Sequence, residues 1–313
     1  MRPRRLALAL AGVALLVFLL WPEAPAGPTG RWLAEARIEE RFAVVDGLRV
    51  RYVRSGRGPA VVLVHGFASS LYTWSGIMGS LSRSHDVIAL DLPGFGRSDL
   101  PPALTGDVLP GVVIGLMDRL GLGKTTLVGH SIGGAVAAVV AARSPERVGR
   151  LVLLDAAGFD LAPGDRPWLL RFFGSDAGGM LARLPRKRLL VTFALRQVFY
   201  DPAHVTAERV DEYLAPLERP GAMDSMRSLL APRGLEAFSS FADVVGRVRA
   251  PTLVVWGRDD RWIPPADADR FIGALPAGRK ALLERCGHVP QEERPAEVSR
   301  LLEGFLTEPA PGT

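Results

Sequence analysis

The sequence predicts an α/β fold built on a mostly parallel sheet with helices on both faces, and three observations carry that prediction. Val61-Val62-Leu63-Val64, Thr126-Leu127-Val128 and Thr252-Leu253-Val254-Val255-Trp256 are short continuous apolar runs, the pattern of strands buried on both faces. Helix-patterned segments alternate with these runs, and strand–helix alternation winds a parallel sheet. Each run ends in a glycine-containing polar loop, and the active groups of such a sheet collect at the carboxyl ends of its strands.

The elements follow in order. Residues 1–26 open with Arg2, Arg4 and Arg5, continue through the apolar run Leu6 to Trp21 and close on Pro22-Glu23-Ala24-Pro25-Ala26. Sixteen residues at ~1.5 Å each reach roughly 24 Å, short of a ~30 Å hydrocarbon core yet long for a signal peptide. Trp21 at the boundary favours a retained membrane anchor with the arginines in the cytoplasm over cleaved secretion, and both place the folded part outside the cytoplasm. Residues 27–40 read as a linker. Arg41 to Val45 and Leu48 to Tyr52 flank Asp46-Gly47, a two-residue hairpin signal. A strand at Ala60 to Val64, a helix near Trp74 to Leu81 and a strand at Asp86 to Leu90 come next. A helical stretch from Thr105 to Leu120 carries Pro110, which is expected to interrupt it. Strands at Thr126 to Val128, Leu151 to Leu154, Pro251 to Gly257 and Lys280 to Glu284 complete the reading, with a helix at Ala135 to Ala142.

Composition agrees. A chain of 313 residues, 48% of them hydrophobic, can bury a large core, and its size suits one α/β domain with an insertion. The net charge of +5 is partly the work of the N-terminal arginines, and the remainder is too mild to suggest nucleic acid. Cys286, the only cysteine, allows no intrachain disulfide and is read as a small packing residue. No His, Cys, Asp and Glu cluster has metal-ligand spacing, so neither metal nor cofactor is expected. Gly121-Leu122-Gly123-Lys124-Thr125-Thr126 imitates a phosphate-binding loop, but it leads into a strand instead of leaving one, and reads as a helix-ending turn.

The chemistry gathers at four loops. Gly129-His130-Ser131-Ile132-Gly133 is a G-x-S-x-G pentapeptide between a strand and a helix, the sequence of a nucleophile elbow. The Ile132 N–H at the head of the following helix is placed to bind a developing oxyanion, and the glycine turn of His65-Gly66-Phe67 lets the Phe67 N–H supply a second donor. Gly257-Arg258-Asp259-Asp260 puts carboxylates at a strand's end, and Cys286-Gly287-His288 puts an imidazole after the last strand. Serine, acid and histidine thus come in one recognised order.

These loops, with Asp91-Leu92-Pro93-Gly94-Phe95-Gly96-Arg97-Ser98 and Glu293-Arg294-Pro295, resemble the α/β-hydrolase family from about Phe42 to Leu306. The resemblance implies an eight-stranded sheet with a helical cap between strands 6 and 7. It implies Ser131 as nucleophile, His288 as general base and then acid, Asp260 as the residue that orients the imidazole, and the N–H groups of Phe67 and Ile132 as the oxyanion hole. Asp259 and Asp155 stay open as alternatives to Asp260. The core is then 41–155 and 236–307, the cap 156–235 and the tail 308–313.

Within the cap, Trp168, Leu169, Leu170, Phe172 and Phe173 form one apolar cluster, and Leu189, Leu190, Phe193, Val198, Phe199 and Tyr200 another. Members that face the serine would favour a small apolar ester. Arg183, Arg186, Lys187 and Arg188 read as a solvated basic face, with contact to anionic lipid as the alternative. His65 is expected to hold the oxyanion turn, Asp91 and Arg97 to brace their loop, His130 to have no catalytic part, and His85 and His204 to lie at the surface. The first functional reading is carboxylesterase or lipase-like hydrolysis through an acyl-enzyme. A carbon–carbon bond hydrolase of the meta-cleavage-product type is the alternative, and a non-catalytic binding protein is a third. Nothing in the sequence decides the oligomeric state.

Overall fold

The computed structural model describes residues 24–159, 187–231 and 240–308, with the short pieces 171–172, 174–175, 179, 234–235 and 238 between them. Eight strands form one sheet: β1 (Glu40–Val45), β2 (Leu48–Ser55), β3 (Ala60–Val64), β4 (Asp86–Leu90), β5 (Thr125–His130), β6 (Val148–Leu154), β7 (Thr252–Gly257) and β8 (Gly278–Leu283). Their spatial order is β1-β2-β4-β3-β5-β6-β7-β8. The β1–β2 and β2–β4 pairs are antiparallel and every later pair is parallel. Asp46 and Gly47 turn the hairpin with φ of 48° and 80°, as a two-residue I′ turn requires.

Continuous apolar strands need cover on both faces, and both are covered. Val62, Val64, Ile88 and Leu90 point into one core with α3 (Val108–Arg119), α4 (Ile132–Arg143), α8 (Phe241–Gly246) and α9 (Ala266–Ala274). Val61, Leu63, Val87 and Ala89 point into the other, with α2 (Ser75–Leu81) and α11 (Pro295–Thr307). Each fully buried Val or Leu there is worth about 1.5–3 kcal/mol of transfer free energy. A short α1 (Arg31–Glu35) precedes the sheet, and α10 (Pro290–Glu293) precedes α11.

Among the described residues, α5 (Lys187–Val198), α6 (Ala207–Glu218) and α7 (Ala222–Leu230) lie between β6 and α8. Val191, Leu195, Phe199, Val210 and Leu214 give this insertion a small core of its own, closed by Val289 from the main domain. Thr206 starts α6 by accepting the Arg209 N–H at 3.2 Å.

Several expectations change. Pro110 does not interrupt its helix, because it is the third residue of α3, where the N–H has no intrahelical acceptor to lose. Gly121, at φ 63°, ends that helix ahead of β5, as a helix-terminating turn should. His85 is buried, its Nδ1 2.9 Å from the Ser84 hydroxyl, and His204 is half-buried with its ring stacked on Phe199. Lys187 and Arg188 do not form a solvated face. The ammonium donates to the Leu217 carbonyl at 3.0 Å and the guanidinium pairs with Asp211. Trp168, Leu169, Leu170, Phe173, Arg183 and Arg186 lie outside the described residues, as does the run Leu6 to Trp21. Among the described residues no helix is long and apolar enough to cross a membrane.

Candidate active site

The site forms where four strands end. Ser131 follows β5 and heads α4 at φ 52°, ψ −125°, a strained conformation for a residue with a Cβ. Backbone bonds hold it there. Its N–H donates to the Leu154 carbonyl at 3.0 Å, and its own carbonyl accepts from Gly134 and Ala157 at 2.8 and 2.9 Å. The flanking glycines follow from crowding, since a Cβ at Gly133 would sit 2.2 Å from the Val64 carbonyl oxygen and one at Gly129 2.3 Å from that of Gly133.

The Ser131 hydroxyl lies 3.1 Å from His288 Nε2, and His288 Nδ1 lies 2.7 Å from Asp260 Oδ2. The other oxygen of Asp260 accepts the Trp262 and Ile263 N–H groups at 2.7 and 3.0 Å, so the carboxylate is fixed on both sides. Trp262 also stacks on the imidazole, ring centroids 5.7 Å apart and planes within 19°. Asp259 does not bond to the imidazole; its backbone N–H donates to the Cys286 carbonyl at 2.9 Å.

Asp155 is close by but does not bond to the imidazole. It is fully buried after β6 and accepts the Gly257 N–H at 3.0 Å. Burial first, and then the Asp260 carboxylate beside it, hold its carboxyl well above the ordinary value and favour the neutral form. Among the described residues, Asp155, Asp260 and His288 are the one group of such side chains close enough to share a metal ion. With Nδ1 already held by Asp260, that group is the acid end of the serine relay.

The two candidate oxyanion donors, Phe67 and Ile132, border the cavity at Ser131. Ile132 is the first residue of α4, so its N–H has no intrahelical acceptor. His65 sets the Phe67 loop. Its Nε2 accepts the Leu92 N–H at 3.0 Å, which leaves the proton on Nδ1 to donate to the Gly66 carbonyl at 2.8 Å. Burial lowers its basicity and keeps this neutral tautomer. Asp91 braces the neighbouring loop through the N–H groups of Leu71 and Arg97 and the guanidinium of Arg51, whereas the Arg97 guanidinium turns to Glu40.

The sequence points to no particular contact for Glu293 and to no catalytic part for His130. Glu293 is buried and accepts N–H groups from Gly287 at 2.8 Å, Tyr200 at 3.2 Å and Asp201 at 2.9 Å, so it ties the histidine loop to the end of α5. His130 lies 2.6 Å through Nε2 from the His288 carbonyl, and burial together with the neighbouring His288 pushes its pKa well below the usual value. Glu293 stood in the motif Glu293-Arg294-Pro295, but which loops it would bond depends on packing. Cys286 is fully buried with its thiol pKa pushed up by burial, which suits packing and not nucleophilic attack.

The relay opens on a cavity of about 140 Å3 whose wall is apolar almost throughout. Leu190, Val191, Ala194 and Val198 of α5 and Met226 and Leu230 of α7 contribute, with Lys187, Tyr213 and Arg227 among the few polar members. Leu189 and Phe193 instead face outward, and Phe199 is buried in the insertion's core.

Comparison with known proteins agrees with this architecture. The family model described as the alpha/beta hydrolase fold matches residues 59–295. The chain is 32% identical to the 2-hydroxy-6-oxo-2,4-heptadienoate hydrolase of Pseudomonas putida, over 85% of this chain and 95% of that one. The crystal structure of a meta-cleavage product hydrolase superposes with a TM-score of 0.75 at 28% identity, covering 86% of this chain and 98% of its own. That of a membrane phospholipase A, described as a bacterial virulence factor, superposes with a TM-score of 0.71 at 26% identity, covering 98% of both chains. On the fold, the order of the site loops and these matches together, the chain belongs to the α/β-hydrolase fold family.

Proposed function

We propose that this protein is a serine hydrolase that cleaves esters of apolar acyl groups through an acyl-enzyme. The observation that carries this reading is the Ser131–His288–Asp260 relay, at 3.1 and 2.7 Å, opening on an almost wholly apolar cavity. His288 Nε2 takes the Ser131 proton as the oxygen attacks the ester carbonyl, while Asp260 holds the Nδ1–H and stabilises the imidazolium. The N–H groups of Phe67 and Ile132 receive the oxyanion. The imidazolium gives its proton to the leaving alcohol, and water then releases the acid by the same steps with His288 as base. We also place the chain at a membrane through Leu6 to Trp21, with its folded part outside the cytoplasm. The similarity to a membrane phospholipase A supports both points, because it spans 98% of this chain against 86% for the meta-cleavage product hydrolase.

A second reading is hydrolysis of a carbon–carbon bond in a ring-fission dienoate, and the names of the relatives favour it over the first. Such a substrate carries a carboxylate, which needs a cation in a low-dielectric cavity, and Lys187 and Arg227 stand in the wall. The deciding experiment compares p-nitrophenyl esters of graded chain length with a 2-hydroxy-6-oxo-dienoate, after labelling with a fluorophosphonate. Strong preference for the dienoate would replace the ester reading. A folded parent that took no more label than Ser131→Ala would remove both.

A further inference from the structure

The segment that follows the apolar N-terminal run is strapped to the insertion. The Ala26 N–H reaches the Glu218 carboxylate at 3.1 Å, the Gly30 N–H bonds to Glu212, and Arg188 reaches the Pro25 carbonyl at 3.3 Å. Ala26 also packs against the core formed by α5 and α6. Only Pro22 and Glu23 separate Trp21 from the first described residue, and two or three residues span at most about 10 Å. Residues 25–30, which continue the chain from that run, are held beside these two helices.

Helix α5 has an outer face as well. Leu190, Ala194 and Val198 line the cavity, Val191 and Leu195 line the cavity and face α6, and Leu189, Phe193 and Arg196 form an exposed stripe on the opposite side at i, i+4 and i+7. Three large apolar side chains are exposed among the described residues, and two of them are Leu189 at 50% and Phe193 at 46%. Paired apolar exposure on one helix, with a cation at its end, is the composition of a surface that lies in a lipid headgroup layer.

We propose that the Leu189–Phe193–Arg196 stripe of α5 rests in the surface of a lipid bilayer, one helix thickness from the cavity at Ser131. This rests on the membrane-anchored reading above. The apolar pair displaces water at the acyl boundary, Arg196 meets anionic headgroups, and the strap at residues 25–30 fixes which side of the domain is presented.

The test uses the full chain, reconstituted into phosphatidylcholine vesicles containing phosphatidylglycerol. An environment-sensitive fluorophore is placed on Phe193→Cys and, separately, on Val44→Cys, the third exposed apolar position; the buried Cys286 stays unlabelled in the folded protein. The expected result is blue-shifted emission at position 193, quenched by a spin-labelled lipid, with emission at position 44 unshifted and unquenched. A chain that floats with the vesicles yet shows the same emission and quenching at both positions overturns the inference and leaves the anchor standing. Blue-shifted emission at 193 without lipid quenching means that protein covers the stripe, and also overturns it. A chain that does not float with the vesicles removes the anchor, and the inference with it.

Discussion

At the scale of single residues, two aspartates close to one histidine are held by different surroundings. Asp260 is fixed by two N–H groups and bonds to the imidazole, whereas Asp155 is enclosed, has one N–H donor and is pushed toward its neutral form. Asp260→Asn should therefore lower kcat by about 10^4-fold, the cost of losing a triad acid. Asp155→Asn puts an amide of the same shape where burial already favours the neutral carboxyl, and should leave kcat close to the parent's in the same assay. The stability consequence has a definite sign. A carboxyl whose folded pKa is raised holds its proton more tightly when folded. Its contribution is fully present below the ordinary value of 3.8 and is lost as pH rises through the folded value. Urea titrations across pH should thus show the Asp155→Asn variant gaining on the parent as pH increases, and a difference independent of pH would refute the assignment.

At the scale of elements, the insertion is fastened to the main domain by a buried polar junction as well as by apolar contact. Arg209 of α6 lies 2.9 Å from Glu292 of α10, which also accepts the Tyr213 hydroxyl and, at 2.6 Å, the Thr73 hydroxyl. Burial raises the Glu292 pKa despite Arg209, and burial with Glu292 alongside raises that of Tyr213, which keeps its proton and donates. Arg209→Met leaves a buried carboxylate without its cation and should cost about 3–5 kcal/mol in chemical denaturation. Adding Glu292→Gln removes that charge and should recover much of the loss; an additive double variant would mean that the pair is not coupled. Glu293, next in sequence, fastens the end of α5 to the histidine loop, so insertion and relay share one support.

At the scale of the whole molecule, the sheet holds the relay while the insertion shapes what reaches it. Ala194 lies on the cavity wall in the middle of α5, so Ala194→Trp should reduce kcat/KM for long acyl esters far more than for acetate. A uniform fall across an acyl-length series would place that position away from the acyl path.

The strands, the elbow and the order of serine, acid and histidine were legible in the sequence because each is a local requirement. Apolar runs of strand length must be covered on both faces, and the Ser131 turn excludes a Cβ at Gly129 and Gly133. Three acids stood as candidates because strand-end spacing cannot say which carboxylate reaches an imidazole on another loop. Only the tertiary structure decided that, and it also stacked Trp262 on the ring, gave Glu293 its three N–H groups and turned Lys187 and Arg188 inward. The physical reason is common to all of these. Local sequence sets the backbone path, but the partner of a polar side chain depends on which distant segment packing brings within about 3 Å of it.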